Sequence, residues 1–427
     1  PKEHVDEHVK RFKNTWEKLD IDYTYFIRTT DKKHTAKVKK ILAYLHSKGE
    51  IYLNEYEGLY SVSEERFVTE KEVEEGDFRE IKKLKEKNYF FKMSKYQKKL
   101  IDHINKHSNF IKPESRKNEI LGFLKKPLSD LCISRPKERL SWGIELPFDD
   151  NYVTYVWFDA LLNYITAIGW DEDEKNFNTY WPADYHLMAK DIITTHCVYW
   201  PTMLMACNIK LPKTIFAHGW WLTDEEKMSK SLGNVVSPLT LVDEFGVDAV
   251  RYYLMSEMVL GSDATFSLES FIKRYNSDLA NDLGNLVSRV STLINKNFDS
   301  VIPSPNNSKN DLSNKVNNIN IKDKLDNFQM DRLLQNIMDF VRSINGYMEK
   351  NQPWKLVKND KELAGDVLYN AAESLRIATV MLSPVMPEKC KEILNALGST
   401  SSSLEWGNLK PGEKIPKTNP IFPRIVE

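Results

Sequence analysis

Hydrophobic spacing changes character once along this chain, and the change restricts the fold to a two-part design. As far as about residue 270, short apolar and aromatic runs alternate with helical patterns; beyond residue 271 the strand signals stop and helical stripes take over. Leu279, Leu283, Leu286, Val290 and Leu293 step by four and three, as one helix face in a bundle would. Further helical patterns occupy 325–349, 361–382 and 387–396. Residues 300–320, rich in Asn, Ser and Pro, hold too little apolar surface to order themselves and are expected to form a mobile loop. Residues 401–427 are expected to run as an extended tail over the surface.

The earlier half opens with Val5, Val9, Phe12, Trp16 and Leu19 at helical spacing, followed by an expected aromatic strand at 23–27 and a helix at 35–46 ended by Gly49. That order is the back part of a wound α/β sheet. From 51 to 135 the texture shifts to strands at 51–56, 58–62 and 89–92 with a lysine-rich segment, which reads as an inserted module. Buried patterns then return, with strands at 152–158, 185–188 and 215–218 and a helix at 194–206.

A length of 427 residues suggests two or three domains, and 41% hydrophobic residues suit a real core. Sixty basic against 61 acidic residues leave a net charge of −1, so any contact with nucleic acid must rest on particular residues. Cys132, Cys197, Cys207 and Cys390 lie far apart with no Cys-x-x-Cys pair, hence reduced, structural cysteines and no zinc site are expected. Neither a run of 18 apolar residues nor a basic and apolar leader occurs, and a cytoplasmic enzyme without membrane contact is the expectation.

After the apolar run at 215–218 come Trp220-Trp221 and then Lys227-Met228-Ser229-Lys230-Ser231-Leu232-Gly233. Two lysines three apart, around a small hydroxyl residue and followed by Gly, can bring two cations to one polyanion. Adenylate formation needs such an arrangement, because negative charge spreads over the α-phosphate and the departing pyrophosphate as a carboxylate attacks. Outside a longer context, a Lys-x-x-Lys pair is more often a solvated loop.

The whole string Lys227-Met228-Ser229-Lys230-Ser231 resembles, letter for letter, the signature loop of class I aminoacyl-tRNA synthetases. Several others resemble the methionine branch. Tyr155-Val156-Trp157-Phe158-Asp159-Ala160-Leu161-Leu162-Asn163-Tyr164 is similar to a wall of the methionine pocket, and Lys190-Asp191-Ile192 with His196 is similar to its other side. Tyr56-Glu57-Gly58-Leu59-Tyr60-Ser61-Val62 and Asn88-Tyr89-Phe90-Phe91 resemble the family's connective module. Ala189 departs from the family, which usually has Gly there.

The resemblance implies a partial Rossmann-type α/β catalytic domain at 1–50 and 136–224 around a connective insertion at 51–135. It continues with the signature-loop and stem-contact region at 225–270, an all-α anticodon-binding bundle at 271–400 and the tail at 401–427. It implies a methionine–tRNA ligase acting on methionine, ATP with Mg²⁺ and tRNA(Met). Lys227, Ser229 and Lys230 would be catalytic; Asp191, His218 and Gly219, with both lysines, would hold ATP. Trp157, Ala160, Tyr164, Ile192 and His196 would form a methionine pocket, in keeping with an apolar, polarizable thioether that favours aromatic and apolar walls with one weak polar contact. Asn285 and Arg289, four apart on one helix face, would bond anticodon base edges while a base stacks on Trp354.

Alone, each of these residues has a plainer reading as core packing or a polar helix face; their joint appearance in family order favours the site. The family's second signature, His-x-Gly-His, is absent from the 427 residues. A preceding segment that carries it is therefore an expected partner, this chain is expected to be incomplete for catalysis alone, and the sheet is expected to expose an edge without it. The alternative is a catalytically inactive, synthetase-derived RNA-binding protein.

Overall fold

A computed structural model describes every residue except 62–65, 69–72, 74–79, 224–225, 228–235, 306–310 and 427. Two compact units result, the first from residues 1–2 and 23–218, the second from 3–22 and 219–427.

At the centre of the first unit is a parallel sheet of three strands, with Thr214–His218 between Ile111–Lys112 and Tyr185–Ala189. Thr214–His218 is almost wholly buried, which explains its unbroken apolar run: a strand covered on both faces has no polar side to alternate with. On Tyr185–Ala189 the pattern alternates instead, with His186 and Met188 buried and Tyr185 and Leu187 exposed. A four-stranded antiparallel sheet stands beside these elements in sequence, its long ladder running from Ile51 against Phe91 to Ser61 against Ile81. Tyr89, Phe91, Phe110, Ile111, Phe158 and Trp200 share the unit's core.

Several expectations are corrected here. Residues 23–27 are not a strand, because no segment among the described residues offers them a ladder and Tyr25 stays exposed; strand propensity expresses itself only with a partner. Residues 152–158 divide: the strand is Asp149–Thr154, and Val156–Leu161 is already helical. Ile111–Lys112, inside the range read as inserted, belongs to the parallel sheet, so the antiparallel strands alone carry the different texture. The helix at 194–206 contains a π turn, Thr195–Tyr199, just ahead of Pro201; a missing amide and a ring that crowds the preceding turn are accommodated by that widening.

Helices make up most of the second unit. Leu268–Arg274, Tyr275–Gly284 in π geometry and Asn285–Asn297 follow without a break, and they pack with Met330–Asn351, Lys361–Leu382 and Pro387–Ala396. Leu279, Leu283, Leu286 and Val290 are buried as the stripe requires, with Leu293 at its margin. The opening helix, Lys2–Lys18, buries none of its residues fully, although Leu19 beyond it packs on this core.

The Asn-rich segment departs from expectation. Ile302 is buried, Val301 bridges Lys414, and Asp311–Asn317 forms a helix that anchors Leu312 in the core. Few apolar residues suffice when each finds a seat on an existing bundle, which composition alone does not register. Part of the segment, 306–310, lies outside the described residues. The tail is likewise irregular but seated: Leu409, Ile415, Ile421 and Phe422 are buried. No helix among the described residues is long and apolar enough to cross a membrane.

Candidate functional site

At the carboxyl ends of two paired strands, Ala189 stands opposite His218. Ligands of open α/β sheets bind at this edge. Asp191 follows at once in the tight turn Lys190–Ile192, exposed to solvent. Ala189 has φ −76° and ψ 155°, an extended conformation open to any residue, so the backbone makes no demand for glycine there.

Behind this edge, a neutral aromatic cluster forms around His196. Its Nδ1 lies 3.0 Å from the Ile192 carbonyl and its Nε2 lies 2.8 Å from the Tyr164 hydroxyl. A ring that donates through Nδ1 to a carbonyl must accept at Nε2, so Tyr164 donates to it. Burial lowers the pKa of His196, which keeps the ring neutral and consistent with that assignment. Burial likewise pushes the Tyr164 phenol up to about 12. Tyr164, Ile192 and His196 are thus brought together, as the resemblance implied. Trp157 and Ala160 sit on the short helix Val156–Leu161, and no hydrogen bond or ring contact joins Trp157 to His196 among the described residues.

Two residues around this cluster were not singled out from the sequence. His186 stacks on Tyr164 with centroids 4.1 Å apart and accepts the Trp200 indole N–H at 3.2 Å. Burial, and then the neighbouring His196, pushes its pKa down to about 4. Alternation along 185–188 was the available signal, since it puts His186 on the inner face with Met188. Asp159 is the other. Its carboxyl is buried with Oδ1 unpartnered, and desolvation pushes its pKa up to about 7. A charged group in the middle of a buried apolar string was its signal.

In the second unit, Gly219 approaches the backbone of Ser262 and Asp263 so closely that a Cβ would overlap both. Trp220 is held there by its amide, which donates to the Asp263 carboxylate at 2.9 Å. The strand Trp221–Thr223 pairs antiparallel with Glu226–Lys227, Leu222 standing opposite Lys227 and Thr223 opposite Glu226 in the ladder. Ser229 and Lys230 lie outside the described residues.

Asn285, Arg289 and Trp354 do converge. With Asn281, Ser288 and Asn345 they line a cavity of about 510 Å³. The Arg289 guanidinium lies over the Trp354 ring, 5.2 Å from its centroid, and donates to Glu349 at 2.7 Å. An aromatic plane, a cation and amide side chains in one open cavity match what unstacked bases require. Asn281 and Asn345 were not singled out from the sequence; Asn281 precedes Asn285 by one turn on the same face. Among the described residues, no three His, Cys, Asp or Glu side chains are grouped to hold a metal ion.

Comparison with known proteins agrees over the full length. Residues 1–77 and 78–291 match the family described as tRNA synthetases class I (M), and residues 302–425 match the anticodon binding domain of methionyl tRNA ligase. A methionine–tRNA ligase of Clostridium acetobutylicum is 47% identical over 443 residues, covering 100% of this chain and 68% of its own length. Another, from Caldanaerobacter subterraneus subsp. tengcongensis, is 44% identical over 442 residues, covering 100% of this chain and 69% of its own. The structure of Mycobacterium tuberculosis methionyl-tRNA synthetase in complex with methionyl-adenylate superposes with a TM-score of 0.90 at 38% identity, across 97% of this chain and 85% of that one. The chain therefore belongs to the class I methionyl-tRNA synthetases, the ATP-dependent ligases that join methionine to tRNA.

Proposed function

We propose a division of labour among the residues. Methionine's side chain lies against Trp157, Ala160, Tyr164, Ile192 and His196, and its carboxylate attacks the α-phosphorus of ATP, supplied as the Mg²⁺ complex. Asp191, beside the carboxyl ends of the parallel strands, accepts hydrogen bonds from the ribose hydroxyls, a role that suits a carboxylate facing neighbouring donors. His218 and Gly219 flank the nucleotide. Lys227 and Lys230, with Ser229 between them, stabilise the charge that develops on the phosphates. A ribose hydroxyl of the tRNA's terminal adenosine then takes the methionyl group. No covalent protein intermediate is needed, so positioning and electrostatics supply the rate.

The observation that carries this reading is the neutral Tyr164–His196–Ile192 relay behind the Asp191 turn: it offers apolar and aromatic surface with one weak polar edge, as a thioether prefers. The exposed Tyr185 and Leu187 support a second proposal, that the segment carrying His-x-Gly-His covers that strand. Methionine-dependent ATP–pyrophosphate exchange tests both, with this chain alone and with that segment supplied from a relative. Exchange that appears only on supplementation supports the two proposals together. Within an active complex, Lys230→Ala should slow adenylate formation by about 100-fold, the scale of losing one group that meets transition-state charge, with methionine affinity little changed. Equal losses in rate and affinity would remove Lys230 from the role.

Asn285, Arg289 and Trp354 are proposed to read the anticodon of tRNA(Met). Trp354→Ala should flatten discrimination between the cognate transcript and one with an altered anticodon, each stacked base contributing about 1–3 kcal/mol.

A further inference from the structure

The helix Met330–Asn351 presents Asn345 to the Trp354 cavity, but its other side carries a second opening that no step above uses. This opening, about 480 Å³, is lined by Ser343, Gly346, Tyr347, Lys350 and Asn351 of that helix and by Asp311, Leu312 and Lys315 of the Asn-rich segment, so two lysines face it against one carboxylate. The helix Asp311–Asn317 forms its outer wall, with Leu312 buried as the peg that fixes it.

Three features point to a polyanionic, sugar-bearing ligand. Lys315 and Lys350 are exposed, and no ion pair engages either among the described residues. Tyr347, half-buried, also lines the opening, and its hydroxyl accepts from the Asn370 amide at 3.4 Å. Gly346 lies exposed in the helix interior, where a Cβ would meet nothing within 4 Å. Glycine at such a position weakens a helix relative to alanine, and packing gives no reason for it here. Close approach of another molecule's backbone does give one. The sequence links the two openings: Asn351 lines this one, and Trp354, three residues later, lines the other. A helix is only about 10 Å across, so one nucleotide loop can touch both sides of its final turn.

We propose that Ser343, Tyr347, Lys350, Asn351 and Lys315 form a second RNA subsite that binds the sugar–phosphate backbone of the anticodon loop next to the bases read at Trp354. It rests on the anticodon reading given above. The lysines meet phosphates, Ser343 and Asn351 meet ribose hydroxyls, and the bare Gly346 lets the strand lie flat on the helix. The subsite adds affinity without selecting sequence, because phosphates carry none. It also gives the Asn- and Lys-rich segment a task, since its short helix supplies Lys315.

The test is titration of full-chain protein with a tRNA(Met) transcript and with an anticodon-altered transcript at several salt concentrations. Lys315→Ala/Lys350→Ala should bind both transcripts about fivefold to tenfold more weakly. Its salt dependence should be shallower by about 1.4, at roughly 0.7 per phosphate on a single strand. The affinity ratio between transcripts should stay as in the parent. Gly346→Ala should weaken both transcripts while leaving the protein folded by thermal melting. Unchanged affinity and slope in the double variant, with Trp354→Ala still flattening the ratio, would overturn the subsite and spare the anticodon reading. If Trp354→Ala leaves the ratio intact, the anticodon reading fails and the subsite fails with it.

Discussion

Two buried carboxylates, Glu373 in one unit and Asp159 in the other, are treated in opposite ways. Glu373, wholly buried in the helical unit, accepts from the amides of Gly407, Asn408 and Leu409 and from Nε and Nη2 of Arg376. Arg376, equally buried, also donates to the carbonyls of Ser403 and Glu405. Asp159, buried in the catalytic unit, leaves Oδ1 without a partner. A buried charge with every lone pair engaged is a structural joint; one left incomplete marks a place where the fold has given up stability, as binding and catalytic sites do. The first latches an irregular tail to its bundle. The second stands in the wall proposed to face methionine.

The largest expected effect breaks the joint. Arg376→Met leaves Glu373 buried without its cation and strands two carbonyls, at a cost of about 3–5 kcal/mol. Thermal melting should show a fall of roughly 10 °C, at about 2–4 °C per kcal/mol for a unit of this size. Glu373→Gln combined with Arg376→Met should recover part of it, since no unpaired charge remains; a double variant as unstable as the sum of the two singles would dismiss the latch.

Next in size is Asp159→Asn. The folded pKa of about 7 lies above the ordinary carboxylate value of 3.8, so between these values the folded state holds the extra proton. Its favourable contribution is complete below pH 3.8 and is lost as pH rises through 7. Asn removes that loss, and denaturation at pH 8 should show the variant stabilised by on the order of 2–4 kcal/mol, with no gain at pH 4. A gain that is the same at both pH values would mean that Asp159 is not an unpaired buried acid.

A smaller test concerns His34 in the same unit. Its Nδ1 pairs with the Thr166 hydroxyl at 2.8 Å, while its buried Nε2 is unpartnered. Thr166→Val removes that remaining bond and should cost about 1–2 kcal/mol in chemical denaturation. A cost below about 0.5 kcal/mol would show that the catalytic unit tolerates unmet polar groups more widely, and would weaken the contrast with Glu373.

What was legible in the sequence follows a physical division. The leucine stripe at 279–293 and the helices near 361–382 and 387–396 could be read directly, because helical burial repeats over many residues and accumulates signal. Residues 23–27 could not, since a strand is only half a structure and its partner lies elsewhere in sequence. Among the proposed site residues, Asn285 and Arg289 were singled out by the resemblance and set on one helix face by their spacing, whereas Asn345 joins them only through the packing of two helices. His186 needed both the alternation of its strand and the ring of Tyr164 to become visible.

By itself, the sequence determined the family, through strings such as Lys227-Met228-Ser229-Lys230-Ser231, and the change from mixed to helical architecture near residue 270. Both are local properties: a loop's chemistry and a segment's periodicity depend on neighbours along the chain. Only the tertiary structure decided that the tail is latched and not loose, that the Asn-rich segment seats Leu312, and that Tyr164 donates to His196. These depend on residues such as Glu373 and Leu409, or Tyr164 and His196, that are distant in sequence and meet only when the core excludes water. Exclusion of water sets the protonation of His186 and Asp159 for the same reason, since the cost of a charge depends on what surrounds it in space and not on what precedes it in the chain.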